Sequence, residues 1–248
     1  MQKLPLGKQD FADMRENDYL YVDKTEHIHR LISTAQYYFM SSPRRFGKSL
    51  IISTLKELFS GRQELFEGLW IHDKIDWHKH PIIHITFNHL DYKEQGLRKS
   101  LDLQLNYTAD KNGVKFQSET YSDKFKELIR TLGKDTQTVI LIDEYDKPII
   151  DYITDTPQAA ENRDVLKNLY SVIKGNEQYI RFLLITGVSK FSQVSIFSDL
   201  NHLVDITLDD NYAVLTGITE EELDAYFAEN ISELQKKYKK QVPDVRSY

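Results

Sequence analysis

Between two apolar runs the chain reads Ser42-Pro43-Arg44-Arg45-Phe46-Gly47-Lys48-Ser49. The run before it, residues 37–40, is aromatic and apolar and predicts a short buried strand. The run after it, residues 50–58, places its apolar side chains at helical spacing. A strand, a tight loop ending in Gly-Lys-Ser and a helix form the setting of a phosphate-binding P-loop, because the loop N–H groups and the helix N-terminus then face an anion.

The loop residues also predict how a nucleotide is held. Lys48 is expected to reach the β- and γ-phosphates, and the Ser49 hydroxyl to ligate Mg²⁺. Ser42 departs from the G-x-x-x-x-G-K-[ST] pattern, and serine adopts a positive φ less cheaply than glycine. Arg44 and Arg45 could contact the γ-phosphate, a partner subunit or nucleic acid, or stay solvated. The candidate nucleotide-binding residues are Ser42, Pro43, Arg44, Arg45, Phe46, Gly47, Lys48, Ser49 and Leu50.

A second motif follows residues 138–142, a continuous apolar run typical of a strand that is covered on both faces. The run ends in Asp143-Glu144, which is the Walker B pattern. Asp143 is predicted to complete the Mg²⁺ site opposite Ser49, and Glu144 to polarise the attacking water. Two acids can also simply cap a strand, but together with the loop they predict Mg²⁺–nucleotide binding. Asp146 could help to organise the waters around Mg²⁺, but Lys147 is adjacent to it and a surface pair between the two is expected.

Composition narrows the class of protein. The 248 residues include no cysteine, which excludes disulfides, thiolate catalysis and zinc–thiolate sites. The formal net charge of −6 argues against nucleic-acid binding through bulk electrostatics, although a local basic groove stays open. The N-terminus lacks the apolar segment of a signal peptide, and no apolar run approaches the roughly 20 residues that span a bilayer. A cytoplasmic protein without a membrane segment is therefore expected.

Strands and helices alternate along the chain, which predicts βαβ units in an α/β protein. Five strands are expected at residues 37–40, 81–87, 138–143, 179–186 and 202–206. With helices on both faces, these give a three-layer α/β/α fold of the P-loop NTPase kind, with a mostly parallel five-stranded sheet and a small C-terminal helical part. Residues 1–210 would form the core, including an N-terminal lead-in of residues 1–25. Residues 211–248, which include a capping box at Thr219 and Glu222, would form a helical lid or the start of a truncated C-terminal region.

Several stretches resemble a known family. They are Tyr21-Val22-Asp23-Lys24-Thr25, the loop 43–50, the run 141–148 and the run Thr186-Gly187-Val188-Ser189-Lys190-Phe191, all similar to the bacterial AAA-ATPase-like family. The resemblance implies an extra strand, residues 180–186, between the P-loop strand and the Walker B strand. It places Thr186 at the sensor position beside the γ-phosphate, so Thr186 joins Lys48 and Glu144 as a catalytic candidate. Members typically continue into a nuclease-like domain of the PD-(D/E)XK type, which this sequence does not contain.

The leading hypothesis is a Mg²⁺-dependent ATP-binding domain with ATPase activity, which acts as a switch or motor for a partner or nuclease-like domain. ATP is favoured over GTP because the sequence has no Asn-Lys-x-Asp motif. An alternative is a nucleotide-gated interaction or regulatory module without effective hydrolysis. A third is a kinase, for which no acceptor site can be located in the sequence. The sequence leaves open whether the chain forms a homo-oligomer and whether it binds nucleic acid.

Overall fold

Five strands form one sheet in the computed structural model, which describes residues 2–190, 196, 197, 200 and 202–237. Their order is β2-β3-β4-β1-β5, and all neighbouring strands run parallel. The prediction of a mostly parallel five-stranded sheet is confirmed, although the fifth strand has only two residues. The strands are β1 Tyr37–Ser41, β2 Ile82–Thr86, β3 Thr138–Asp143, β4 Ile180–Gly187 and β5 Val204–Asp205.

Helices precede the first strand, lie between β1 and β4, and follow the last strand. The helix after the Gly-Lys-Ser loop, α3, begins at Lys48 and ends at Phe59, as its apolar spacing predicts. A short helix in the lead-in, α1, is absent from the sequence-based prediction; the Asp10 side chain caps it by accepting from the Asp13 N–H. The helices are α1 Phe11–Glu16, α2 Thr25–Thr34, α3 Lys48–Phe59, α4 Tyr92–Gln95, α5 Leu97–Lys111, α6 Tyr121–Leu132, α7 Lys147–Ile150, α8 Thr156–Ser171 and α9 Glu220–Lys237.

Two apolar cores lie on opposite faces of the sheet. Helices α1, α2 and α3 pack on one face, against alternate strand residues such as Leu141 and Leu184. Helices α5, α6 and α8 pack on the other face, against Ile142 and Ile185. Every residue of β3 is buried, as expected for a strand covered on both sides. The fold is therefore a three-layer, P-loop-like α/β/α arrangement.

The strand order brings distant segments of the sequence to one edge of the sheet. Strand β4 lies between β1 and β3, which is the arrangement that the family resemblance implies. In the register of the sheet, Ser41 pairs with Gly187 and Thr86 pairs with Asp143. The carboxyl ends of these parallel strands therefore meet beside the loop of residues 42–49, hereafter loop 42–49.

The last helix contacts the N-terminal lead-in, and the residues just before it contact loop 42–49. At its start the predicted capping box is confirmed, because the Glu222 carboxylate accepts from the Thr219 N–H at 2.8 Å and the Thr219 hydroxyl accepts from the Glu222 N–H at 3.2 Å. Lys24 donates to the same carboxylate at 2.5 Å. Just before the helix, the Gly217 N–H donates to the Phe46 carbonyl at 3.0 Å. The division of the chain at residue 210 stays a prediction.

Candidate functional site

Loop 42–49 has left-handed backbone at two positions. Gly47 adopts φ 93° and Arg45 adopts φ 69°. Glycine reaches this region without strain, whereas arginine incurs a cost of about 1 kcal/mol or more. Ser42 is not among the residues with positive φ, so the replacement of the first glycine of the motif introduces no left-handed strain. The strain that the sequence suggested at Ser42 lies at Arg45 instead.

Lys48 holds the loop together from inside. Its side chain is buried, and its ammonium group donates to the Ser42 carbonyl at 2.5 Å and to the Pro43 carbonyl at 2.8 Å. An ammonium group has three donors, so one N–H remains for a phosphate oxygen. Burial lowers the pKa of Lys48, while the nearby Asp143 and Glu144 carboxyls act in the opposite direction. The predicted phosphate ligand is thus placed inside the loop that would cradle the anion.

Asp143 accepts from two hydroxyl groups that belong to different elements. The Ser49 hydroxyl at the start of α3 donates to one carboxylate oxygen at 2.7 Å, and the Thr186 hydroxyl on β4 donates to the other. The sequence predicts Ser49 and Asp143 as opposite sides of a Mg²⁺ site, and the structure brings them together. Hydroxyl and carboxylate oxygens are the hard donors that suit Mg²⁺, so the residues present fit this ion.

Thr186 is fully buried behind Asp143. Its hydroxyl contacts the Asp143 carboxylate and the Ile142 carbonyl, whereas Asp143 itself lines the cavity at this edge of the sheet. Any effect of Thr186 on the site acts through Asp143 in this arrangement. Its predicted role in orienting the attacking water stays a prediction.

Glu144 combines a strained backbone with a perturbed carboxyl group. It adopts φ 56°, a left-handed conformation that costs a non-glycine residue about 1 kcal/mol or more. Burial raises the pKa of Glu144, and the neighbouring Asp143 carboxylate adds to this effect. A carboxyl group with a raised pKa is a stronger base once it is ionised. The residue that the sequence predicts as the general base therefore has suitable electrostatics.

A cavity of about 870 Å³ opens over these residues. Its cationic lining residues outnumber the acidic ones, so it favours an anion. Loop 42–49 and the acids Asp143 and Glu144 at the end of β3 form one part of the wall. The lead-in, α3 and the end of β2 form the rest. No sequence motif predicts this second part, which comprises Gly7, Lys8, Gln9, Asp10, Ile52, Ser53, Lys56, His84, Thr86, Asn88 and His89.

Asp146 corrects one sequence-based expectation. Instead of forming a surface pair with Lys147, it is buried, and Lys147 donates to Asp151 at 2.8 Å. One Asp146 carboxyl oxygen accepts from the Val188 N–H at 3.0 Å, from the Ser189 N–H at 2.7 Å and from the Ser189 hydroxyl at 2.9 Å. The residue is therefore part of the link between β3 and the end of β4. Sequence spacing could not reveal this, because the donors follow β4, more than 40 residues further along the chain.

The class of protein follows from these observations. A parallel sheet with β4 between β1 and β3, a Gly-Lys-Ser loop leading into α3, and an acid at the end of β3 define a P-loop-like nucleotide-binding fold. The sequence model of the predicted AAA-ATPase family matches residues 5–197, and the chain belongs to this family. The resemblance read from the sequence is thereby confirmed. Membership supports an ATP-binding, ATPase-like role.

Comparison with individual proteins adds little about function. The chain is 45% identical over 240 residues to an uncharacterized protein in the vnfD 5′ region of Azotobacter chroococcum mcd 1. The match covers 95% of this chain and 46% of the relative, so the chain spans about half the length of that protein. No solved structure matches at a significant level. Within the described residues, no helix has the length and apolarity needed to cross a membrane; the cytoplasmic location stays a prediction.

Proposed function

We propose that the chain is a Mg²⁺-dependent ATP-binding domain that hydrolyses ATP and acts as a switch or motor for a partner or nuclease-like domain. The carrying observation is the hydrogen bond of 2.7 Å between Ser49 and Asp143. It joins the first turn of α3 to the carboxyl end of β3 at the wall of the cavity. Family membership and the cationic lining of the cavity support the same conclusion.

Each residue has a distinct task in this proposal. The N–H groups of loop 42–49 and the Lys48 ammonium hold the β- and γ-phosphates. Ser49 and Asp143 hold Mg²⁺, which when bound neutralises developing charge on the phosphate oxygens. The Glu144 carboxylate accepts the proton of the water that attacks the γ-phosphorus. One of the exposed Arg44 and Arg45 stabilises the γ-phosphate charge, in the same chain or in a neighbouring copy.

The test is Mg²⁺-dependent phosphate release from ATP over a wide range of protein concentration. We expect Glu144→Gln to bind ATP without turnover and Lys48→Ala to lose ATP binding. Glu119→Gln, which changes an exposed glutamate, is the matched control and should behave like the wild type. A rate of phosphate release per protein molecule that rises with protein concentration would mean that an assembly of several copies forms the active site. Normal turnover in both Glu144→Gln and Lys48→Ala would contradict the proposed mechanism.

One observation favours the alternative of a nucleotide-gated interaction module. The Thr186 hydroxyl is committed to Asp143, so this side chain cannot at the same time donate to an attacking water. Such a module would bind ATP at about micromolar Kd, equivalent to about −8 kcal/mol, and would release no phosphate. The same assay, combined with a binding titration, separates the two functions.

A further inference from the structure

The end of β4 is hydrogen-bonded to both halves of the candidate site. On one side, the Ser42 N–H at the start of loop 42–49 donates to the Gly187 carbonyl at 3.1 Å. On the other side, the Tyr145 N–H donates to the Thr186 carbonyl at 2.9 Å. The two segments that would hold phosphate and Mg²⁺ are therefore connected through β4 as well as through the direct bond between Ser49 and Asp143.

Asp146 supplies most of the hydrogen bonds on the second side. Its side chain is 1% exposed, and one oxygen accepts all three donors from Val188 and Ser189. The other oxygen is buried and has no hydrogen-bond partner among the described residues. Burying a carboxyl group is costly unless hydrogen bonds compensate for the lost water. These donors all belong to the backbone and side chain immediately after β4, so the favourable contacts of Asp146 depend on the position of that segment.

Gly187 makes this close approach possible. A Cβ atom added at Gly187 would lie 2.4 Å from the Tyr145 ring and 3.0 Å from the unpartnered oxygen of Asp146. Its φ is not positive, so the glycine is required for space and not for its backbone conformation. Tyr145 also donates its hydroxyl to the Ser189 carbonyl at 2.9 Å. We call Tyr145, Asp146, Gly187 and Ser189 the β3–β4 clasp.

We propose that Asp146 is a positioning residue of the ATP site, and that the clasp couples the state of this site to the segment that follows β4. The coupling rests on the proposed function. The clasp keeps residues 186–189 in place. In that position the Thr186 hydroxyl donates to Asp143, and the Gly187 carbonyl accepts from the Ser42 N–H. Any ligand that reorders Ser49 and Asp143 therefore changes the environment of Thr186.

The coupling continues beyond the clasp. Lys190, directly after Ser189, pairs with Asp205 on β5 at 2.8 Å. Strand β5 is the outer neighbour of β1, and the Ser41 N–H at the end of β1 donates to the Thr207 hydroxyl at 3.0 Å. The residues after β4 thus connect the acidic residues at the end of β3 to β5, the outermost strand on the side of β1. In this proposal a change at the nucleotide reaches strand β5 through these contacts.

Two substitutions at Asp146 separate positioning from folding. Asp146→Asn keeps an oxygen that can accept the three hydrogen bonds, whereas Asp146→Ala removes the acceptor and leaves the Val188 and Ser189 N–H groups without it. Asp151→Ala is the matched control, because Asp151 also accepts hydrogen bonds near β3 but bonds to Tyr92 and Lys147. We would measure kcat and KM for ATP, and hydrogen exchange of segments 42–49 and 186–190 with and without Mg²⁺·ATP.

For Asp146→Ala we expect kcat to fall about tenfold or more while KM for ATP stays within about threefold, and Asp146→Asn to retain most of the activity. In the wild type and in Asp146→Asn, Mg²⁺·ATP should slow exchange in both segments. In Asp146→Ala, only segment 42–49 should be protected. Wild-type kcat and wild-type protection of residues 186–190 in Asp146→Ala would overturn the proposal, as would an equal loss of kcat in Asp151→Ala.

If Asp146→Ala does not fold, Tyr145→Phe tests the clasp instead, because it removes only the hydrogen bond from the Tyr145 hydroxyl to the Ser189 carbonyl. Reduced protection of residues 186–190 in this variant supports the clasp, and unchanged protection overturns it. Failure of the clasp is distinct from failure of the proposed function. If Mg²⁺·ATP does not slow hydrogen exchange of residues 42–49 in the wild type, both the nucleotide site and the clasp are contradicted. If it slows exchange of residues 42–49 but not of residues 186–190, only the clasp is contradicted. If the protein releases no phosphate, ATP hydrolysis is contradicted, and the hydrogen-exchange measurement alone then tests the clasp.

Discussion

At Ser49 a single hydroxyl group joins α3 to the acid at the end of β3. A hydrogen bond to a charged group is worth roughly 1.5–3 kcal/mol, and the same hydroxyl is the proposed ligand of Mg²⁺. We therefore expect Ser49→Ala to weaken Mg²⁺-dependent ATP binding about tenfold or more. The measurement is a calorimetric titration with a non-hydrolysable ATP analogue, with and without Mg²⁺.

Ser100→Ala is the control for the Ser49 prediction. Ser100 is also a helical serine whose hydroxyl donates a hydrogen bond, but its acceptor is the Gly96 carbonyl just before α5, and Ser100 does not line the cavity. It should lose some stability and keep full affinity for the analogue. Equal affinity in Ser49→Ala and Ser100→Ala would show that the Ser49 hydroxyl takes no part in binding.

His84 lies at the wall of the cavity and makes the stability depend on pH. Its Nε2 atom lies 2.9 Å from the Thr86 hydroxyl, and burial lowers its pKa to about 4. Asp143 acts to raise this pKa, while Lys56 and His89 act to lower it.

The sign of the pH effect follows from the direction of that shift. An unfolded histidine has a pKa of about 6.5, so protonation favours the unfolded state. The contribution of His84 to stability is present above about pH 6.5 and is lost as the pH falls towards 4, by up to about 1.4 kcal/mol per pH unit. Urea unfolding across this range should show a weaker pH dependence in His84→Gln than in the wild type. The control is the same substitution at the exposed His78, and a slope in His84→Gln equal to that of the wild type would contradict the assignment.

At the scale of elements, α9 is attached to the body of the protein by a largely buried ion pair. The side chains of Lys24 and Glu222 are 8% and 18% exposed. Removal of one partner leaves the other charge buried, which costs about 3–5 kcal/mol. We expect Lys24→Met to release α9, with hydrogen exchange over residues 220–237 faster by about tenfold or more.

The control for α9 is an exposed ion pair of the same type. Lys74 pairs with Asp73 while both side chains are largely exposed, so Lys74→Met should change stability by less than about 1 kcal/mol. Exchange over residues 220–237 that is the same in Lys24→Met and Lys74→Met would show that the ion pair does not hold α9.

The elements that the sequence predicts are those with a local signal. Helix α3 and strands β3 and β4 can be predicted because each contains an apolar run whose length and spacing indicate the element without knowledge of its neighbours. Helix α1 was missed because six residues with only Phe11 and Met14 buried give too short a pattern to detect. Strand β5 was predicted too long, since its extent depends on pairing with β1 and on no pattern of its own.

The candidate site divides in the same way. Lys48, Ser49, Asp143 and Glu144 belong to motifs in which neighbouring residues share one task, so the sequence alone predicts them as site residues. Asp146 could not be assigned, because its donors at residues 188 and 189 are adjacent only after the sheet has formed. The lead-in could not be placed beside the cavity either. It lies there because the Phe11 N–H donates to the Ser53 hydroxyl on α3 at 2.9 Å.

At the scale of the whole molecule, a ligand that binds only the folded state raises the melting temperature. At a ligand concentration of about 100 times Kd the gain is about 2.7 kcal/mol, which for a chain of this size raises Tm by roughly 5–10 °C. We expect Mg²⁺·ATP to produce such a shift in the wild type and none in Lys48→Ala. The measurement is scanning calorimetry at several ATP concentrations. A shift of equal size in Lys48→Ala would place the nucleotide elsewhere.

The order of the strands also bears on when the site can form during synthesis. Strand β1 ends at Ser41, yet its two neighbours in the sheet are residues 180–187 and 204–205. A chain that emerges from the ribosome N-terminus first has made loop 42–49 long before either neighbour exists. Strands that are so distant in sequence pair slowly, because the entropy cost of closing the intervening loop opposes the pairing until other contacts have formed. The segment proposed to bind phosphate is thus among the first to be synthesised and among the last to be completed.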